Sequence, residues 1–395
     1  NSTAYVYDLF ERVIQVIDPE GNAITSDYGA AGGCSSCSGG ADLPGSIIYP
    51  TYIREMEYDS RKRLIGQKDI YDSGERLTGY SYDEFGNVLQ VTDPEGNIIA
   101  YEYDALGRKV SEIDARGNRT RLSYDNRDNL VKLQDANGGI TSFEYDLSNR
   151  LIKEVRPLLQ ETRYSYDSAG NLAAVTNAGG GKTVYVWDYS GRLAASESYG
   201  GATDLVPVKS VIYSYNDAGS LIGYDDAVTR ASYVYDDLQR RISETVNYGT
   251  FSLTNDYSYY GNGWKKQETD PAGRLKRYSY DKAGKPLGVD LGPAGQVSYS
   301  SYEWNRPSRI TLPGGAALNF NYSGLQQVSA INGRDPAENS VMDYAYAYSP
   351  AGSITEKSTE HGIYSYGYDS LYRLTDVMGP VKEVRVAYDP LANRT

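Results

Sequence analysis

Aspartate recurs in this sequence with a regularity that asks what so many carboxylates could do. Asp83, Asp104, Asp125, Asp146, Asp167 and Asp188 stand 21 residues apart through five intervals. Two carboxylates do acid–base work when their surroundings drive their pKa values apart. Here every aspartate holds the same place in the same phrase, so one role has to serve them all. Most are followed by x-x-Gly, as at Gly86, Gly107, Gly170 and Gly191. Asp at the first position of a type I turn accepts hydrogen bonds from nearby backbone, and Gly suits the fourth. The spacing therefore predicts structural turns, and no catalytic residue is expected.

Other chemistry is poorly provided for. His361 is the only histidine, in Glu360-His361-Gly362, with no Gly-x-Ser-x-Gly motif beside it to build a Ser-His-Asp arrangement. Cys34 and Cys37 sit in a Gly/Ser-rich tract. One Cys-x-x-Cys and a distant histidine are too few ligands for zinc without outside help. A redox pair should open a helix in a βαβ unit, which the glycines argue against. A short-loop disulfide or two free thiols remain, and Cys34–Cys37 is the candidate disulfide for a secreted chain. The EF-hand loop and the Gly-Gly-x-Gly-x-Asp nonapeptide are both absent, so neither metal nor cofactor is expected.

The elements that carry the aspartates follow from the phrase around them. Tyr101-Glu102-Tyr103-Asp104 alternates aromatic and polar residues, as do Thr141, Phe143 and Tyr145 against Ser142 and Glu144. Alternate side chains share a face of an extended strand, so these are half-buried strands. A second turn falls half a period later, at Asp93-Pro94-Glu95-Gly96. Two turns in 21 residues leave two short strands, and each copy is a β-hairpin. After the first turn, Leu89/Val91, Val131/Leu133 and Ala173/Val175 keep an apolar face, while Glu112 and Glu154 interrupt it.

The phrase runs nearly end to end, which predicts one array over residues 1–395, regular over 80–193 and degenerate over 194–395. About thirty extra residues between Asp8 and Asp59 predict an inserted Gly/Ser/Cys loop near residues 23–52. Tyr71-Asp72 lies 11 residues before Tyr82-Asp83, which predicts a missing half-unit. Trp304-Asn305, Tyr322-Ser323 and Tyr348-Ser349 read as decayed copies. Seventeen or so copies of two strands exceed what an open sheet holds flat, so the strip should curl around a volume. Both ends fall inside a repeat, which points to a fragment of a larger protein.

Composition sharpens this. There are 40 tyrosines but 5 phenylalanines. Tyr adds to its ring a hydroxyl that needs a partner or water, and a wall facing a wet interior would suit it. The net charge is −13, with basic residues scattered singly, so nucleic acid is not an expected partner. No apolar run approaches a membrane span.

The Tyr-x-Tyr-Asp-x-x-Gly-Asn/Arg-Leu unit with its Asp-Pro-x-Gly-Asn turn resembles the YD repeat of the Rhs family. That family includes bacterial polymorphic toxins, C subunits of insecticidal toxin complexes, wall-associated proteins and teneurins. The resemblance implies an all-β fold, a spiralling strip of antiparallel β-hairpins forming part of a hollow shell. It implies a non-catalytic segment, secreted or at the bacterial cell surface, that encloses or presents a C-terminal toxin or effector cargo. Its partners would be that cargo domain or a secretion or toxin-complex subunit. The alternative it implies is an extracellular adhesion module in the manner of teneurins, binding a cell-surface protein or glycan. No aspartate-bearing cleavage region of the kind found in cargo carriers follows Asp389 in this sequence.

Overall fold

The computed structural model describes residues 2–29 and 43–395, so Cys34 and Cys37 lie outside the described residues. These contain 35 β-strands and two single-turn 3-10 segments, Pro157–Leu159 and Gly292–Ala294. The all-β antiparallel reading is right. Two compact units emerge: Asn1–Arg119 with Tyr278–Thr395, and Thr120–Arg277.

Within the second unit the chain is a plain meander, each strand pairing antiparallel with the next. Strand Ile140–Tyr145 pairs with Leu151–Arg156, which pairs with Gln160–Tyr166, and so on. The first unit holds two limbs of the same kind, one from each end of the chain. Nearest neighbours supply nearly all the packing, as in other repeat architectures. A single sheet layer leaves little dry interior. Among the described residues the side chains buried outright are Ala231, Ala317, Ser111 and Gln326.

The irregular strand after each first turn has a simple cause. Ser81 pairs with Gln90 but Tyr82 pairs with Val88, so Leu89 is an extra residue, a β-bulge. Val131 and Ala173 are skipped in the same way. A bulge breaks the two-residue alternation. Only Val91, Leu133 and Val175 therefore share the aromatic face, opposite Tyr80, Leu122 and Tyr164.

Three details differ from the sequence expectations. Residues 23–52 are not all loop: strands Ala23–Asp27 and Ser46–Ile48 lie inside that interval and pair, Thr25 opposite Ile48. No half-unit is missing before Tyr82. Long strands Leu64–Tyr71 and Gly74–Tyr82 meet in a tight turn, Tyr71 opposite Gly74, so Asp72 belongs to a second turn rather than a first. Likewise Trp304-Asn305 is the tip of a hairpin that pairs Glu303 with Arg306.

Candidate functional site: a ladder of turns

Each predicted turn aspartate opens a tight first turn. In the copy at Asp104, one carboxylate oxygen accepts the backbone N–H of Leu106 at 3.0 Å and of Arg108 at 3.0 Å, and the other accepts Arg108 Nε at 2.8 Å. The Gly107 N–H donates to the Asp104 carbonyl at 3.0 Å. Asp83 is held by Phe85, Asn87 and the Asn87 side chain in the same pattern. Asp125, Asp146 and Asp188 repeat it fully, and Asp167 binds Asn171 through both backbone and side chain. The Arg108 side chain, then its N–H, holds the Asp104 carboxyl below the usual carboxylate range; Asn87 does so for Asp83. Carboxylates held in this way are committed to the turn and kept ionised.

The fourth position is left-handed in every copy, with φ 99° at Gly86, 76° at Gly107, 92° at Gly170 and 73° at Gly191. It stays left-handed where glycine is absent, at Asp128 with φ 65° and Asn149 with φ 60°. The carboxylate clamp and the bulge, rather than glycine alone, impose that conformation.

Sequence reasoning missed what joins one copy to the next. In most copies the tyrosine of the Tyr-Asp pair donates its hydroxyl to a backbone carbonyl of the preceding copy: Tyr103 to Val88 at 2.9 Å, Tyr145 to Leu130 at 2.9 Å, Tyr166 to Leu151 at 2.8 Å. Trp187 makes the same bond with its indole N–H, to Leu172 at 2.8 Å. Tyr302, not Trp304, does so in its copy, to the Pro286 carbonyl. At this position tyrosine rather than phenylalanine recurs because its hydroxyl has an assigned carbonyl. The signal was present in the one substitution tolerated, another ring that carries a donor.

The arginine that ends many first turns adds a second tie. Arg150 lies 4.5 Å from the Tyr166 ring centre, Arg192 4.9 Å from Tyr215 and Arg240 4.9 Å from Tyr259. Arg192 and Arg240 also reach the next turn, donating to the carbonyls of Asn216 at 3.2 Å and Tyr260 at 3.0 Å. Arg192 and Arg240 therefore each bond their own aspartate, stack on the next tyrosine and cap the next turn. A planar guanidinium can do all three at once, which an ammonium cannot.

The glutamates that interrupt the apolar face have partners too. Glu112 stands opposite Tyr101 and accepts Lys109 Nζ at 2.7 Å, while Lys109 lies 5.3 Å from the Tyr101 ring centre. Arg241 with Glu244 and Lys265 with Glu268 repeat this against Tyr233 and Tyr257. Glu154, opposite Phe143, accepts Arg156 Nε at 2.6 Å. This face is half-exposed and tolerates paired charges.

Inside the first unit the two limbs meet along a seam, where second turns of the early limb meet first turns of the late one. Tyr372 donates its hydroxyl to Asp93 and accepts Asn97 Nδ2 at 3.1 Å. Arg116 reaches Asp369 at 3.1 Å, and Arg76 bonds the Gln327 side chain at 2.5 Å. Glu20 accepts the Lys282 N–H at 3.1 Å and Glu95 the Ala351 N–H at 3.4 Å. Beside the seam lies a cleft of about 640 Å³ walled by Tyr49, Tyr52, Tyr71 and Tyr322, with Asp72 and Glu303 among its lining residues.

His361 is exposed, 3.5 Å from Glu360. Among the described residues there is no group of three or more His, Cys, Asp or Glu able to hold a metal, and no helix long and apolar enough to cross a membrane.

A meander of clamped hairpins, strutted one to the last mostly by tyrosine, is the YD-shell class of fold. Residues 50–204 match the family described as Teneurin YD-shell. No curated protein matches in sequence. The crystal structure of TcdB2-TccC3 is similar over all of this chain, at TM-score 0.55 and 14% identity. A Photorhabdus luminescens Tc holotoxin pore with a TccC3 mutation is similar over 95% of it, at TM-score 0.53 and 15% identity. This chain spans 32% and 26% of the respective chains. The fold is therefore that of a YD shell, and over residues 50–204 the repeats are similar in sequence to that family.

Proposed function

We propose that this chain is a wall segment of an Rhs-type shell, whose work is enclosure rather than catalysis. The observation that carries this is the ladder itself. Most first turns are clamped by their own aspartate, and tyrosine hydroxyls and arginines tie successive copies, so the strip resists splaying along its length. The half-exposed aromatic face with its paired charges suits a wall with water on both sides. The cargo would be a toxin or effector domain of the same parent chain, with a secretion or toxin-complex subunit as partner and a secreted or cell-surface setting. Limited proteolysis of the full-length parent tests it. A cargo domain should survive protease concentrations that remove an exposed tail; a cargo digested at the rate of an isolated cargo domain would refute enclosure.

A second reading, an extracellular module that binds a surface protein or glycan, is favoured by the cleft of four tyrosines with two carboxylates. Aromatic faces stack on sugar rings while carboxylates accept their hydroxyls. A glycan array probed with the protein and with Tyr52→Ala would separate the readings: binding lost in the variant supports it, and no binding by either rejects it.

A further inference from the structure

Two carboxylates of the repeating phrase are released from turn duty, and both line the cleft beside the seam. In most copies the residue after the strut tyrosine serves its own turn, as Asp104 does for Leu106 and Arg108. Even decayed copies keep that duty: Ser323 accepts the Gln327 N–H at 3.2 Å and Ser349 the Ser353 N–H at 3.3 Å. Tyr302 is a strut, which puts Glu303 in the same position. The hairpin there pairs Glu303 with Arg306 across a two-residue tip, so this carboxylate has no turn to clamp. Asp72 likewise follows a tyrosine, Tyr71, in a two-residue turn that closes on Gly74. Among the described residues neither carboxylate has a hydrogen-bond or ion-pair partner.

Their setting defines what they accept. The cleft, about 640 Å³, is of the size that takes a small ligand. Thr51 lines it as well, and its hydroxyl is buried with no hydrogen-bond partner. None of the described lining residues is basic. Arg54 lies 5.9 Å from the Tyr49 ring centre and 5.8 Å from that of Tyr52, but Asp69 already holds it at 2.6 and 2.9 Å. Arg306 lies 5.8 Å from the Tyr322 ring centre and makes no ion pair with Glu303. A carboxylate only accepts hydrogen bonds, and the faces of aromatic rings attract positive charge. The partner that completes this site therefore carries N–H donors and a positive charge. Tyr49 and Tyr52 stack with centres 4.4 Å apart and 11° between their planes, a flat block on which a saccharide ring can pack its C–H face.

Resting on the glycan reading, the geometry points to one class of sugar: the cleft is a subsite for a hexosamine with a free, protonated amino group. Its ammonium lies between Glu303 and Asp72, and its ring packs on the tyrosines. An N-acetylated sugar lacks the charge, and an acidic sugar is repelled by the two carboxylates.

Isothermal titration calorimetry of the whole chain with a glucosamine oligosaccharide, its N-acetylated counterpart and spermidine tests this. The free-amine sugar should bind. Glu303→Gln and Asp72→Asn keep side-chain shape, and each should weaken that binding by about tenfold, the loss of one hydrogen bond to a charged group. Asp237→Asn, at an exposed turn of the second unit, should change nothing. Thermal melts confirm that the variants fold. Equal binding of the two sugars, or no effect of either cleft variant, would overturn the inference and leave the glycan reading standing. Spermidine bound as tightly as the amino sugar would show that charge alone is read, which overturns the sugar assignment. Binding of neither sugar would overturn it too, and the glycan array then decides the wider reading.

Discussion

First turns early in the chain and first turns late in it share one set of internal hydrogen bonds yet stand in different surroundings. Asp104 and Asp369 are clamped alike, each by two backbone N–H groups and the Nε of an arginine four residues on. At the early turn the tip, Leu106, is exposed and the left-handed position is Gly107. At the late turn the tip, Leu371, is half-buried and the left-handed position is Tyr372 at φ 59°. The difference teaches that the local phrase fixes the turn, while the neighbour fixes what its spare positions do. A tyrosine in left-handed backbone is strained, and its bonds to Asp93 and Asn97 across the seam offset that strain.

The largest effect should come from that bond. Tyr372→Phe removes a hydrogen bond to a charged acceptor, expected to cost about 2 kcal/mol in urea unfolding of the first unit, whereas Leu106→Ser at the exposed tip should stay within about 0.5 kcal/mol. Equal losses would dissolve the comparison. The bond also titrates. Burial, then the Asp93 hydrogen bond, pushes the Tyr372 hydroxyl up to about 12 from its ordinary 10.0. A raised folded value means the stabilisation is complete below pH 10 and is lost as pH rises through about 12. The turn aspartates run the other way: their folded values are lowered from 3.8, so their contribution is present above that pH and fades as pH falls through the lowered values. Tyr372→Phe should make the alkaline limb of the stability profile shallower and also weaken the acid limb, because, against burial that raises it, the Tyr372 hydroxyl is the first group holding the Asp93 carboxyl below its ordinary value.

What the sequence made legible was whatever repeats within one copy. The strand alternation and the aspartate turn depend on residues at most four apart, and the 21-residue beat is their recurrence, so spacing alone betrays them. Contacts between copies were harder to see. The Tyr145 hydroxyl and its acceptor at Leu130 are 15 residues apart, and the acceptor is a carbonyl, which leaves no mark on residue type. The bulge at Leu89 hid for a related reason: an extra residue shifts register without changing composition. Long-range structure was least visible. Nothing near Tyr372 or Gln327 announces a partner more than 250 residues away. Cys34 and Cys37 lie outside the described residues.

The struts should rank next, and they test whether the two units are held by the same device. Tyr145→Phe in the second unit and Tyr103→Phe in the first each delete one hydroxyl donor and leave a carbonyl without its partner. Each should cost about 1 kcal/mol, read as a shift in urea midpoint with unchanged slope. Trp187→Phe should cost more, because it removes both the indole donor and ring area. A strut variant with no effect would mean water replaces the hydroxyl, restoring the wet-wall explanation of the tyrosines.

The smallest effect sharpens the contrast most, because its sign should reverse between the two settings. Glu11 occupies the left-handed position of the first turn at Asp8 with φ 61°, and its backbone N–H closes the turn on the Asp8 carbonyl at 3.1 Å. Glu11→Gly relieves the steric cost of that conformation but adds freedom to the unfolded chain, and the balance should stabilise by about 0.5 kcal/mol. Tyr372→Gly relieves the same steric cost yet forfeits the seam, and should destabilise. If both substitutions stabilise, the seam contributes little and the left-handed tyrosine is only tolerated. If both destabilise, the side chain at Glu11 has a partner of its own, and early and late turns are more alike than their exposed and covered tips suggest.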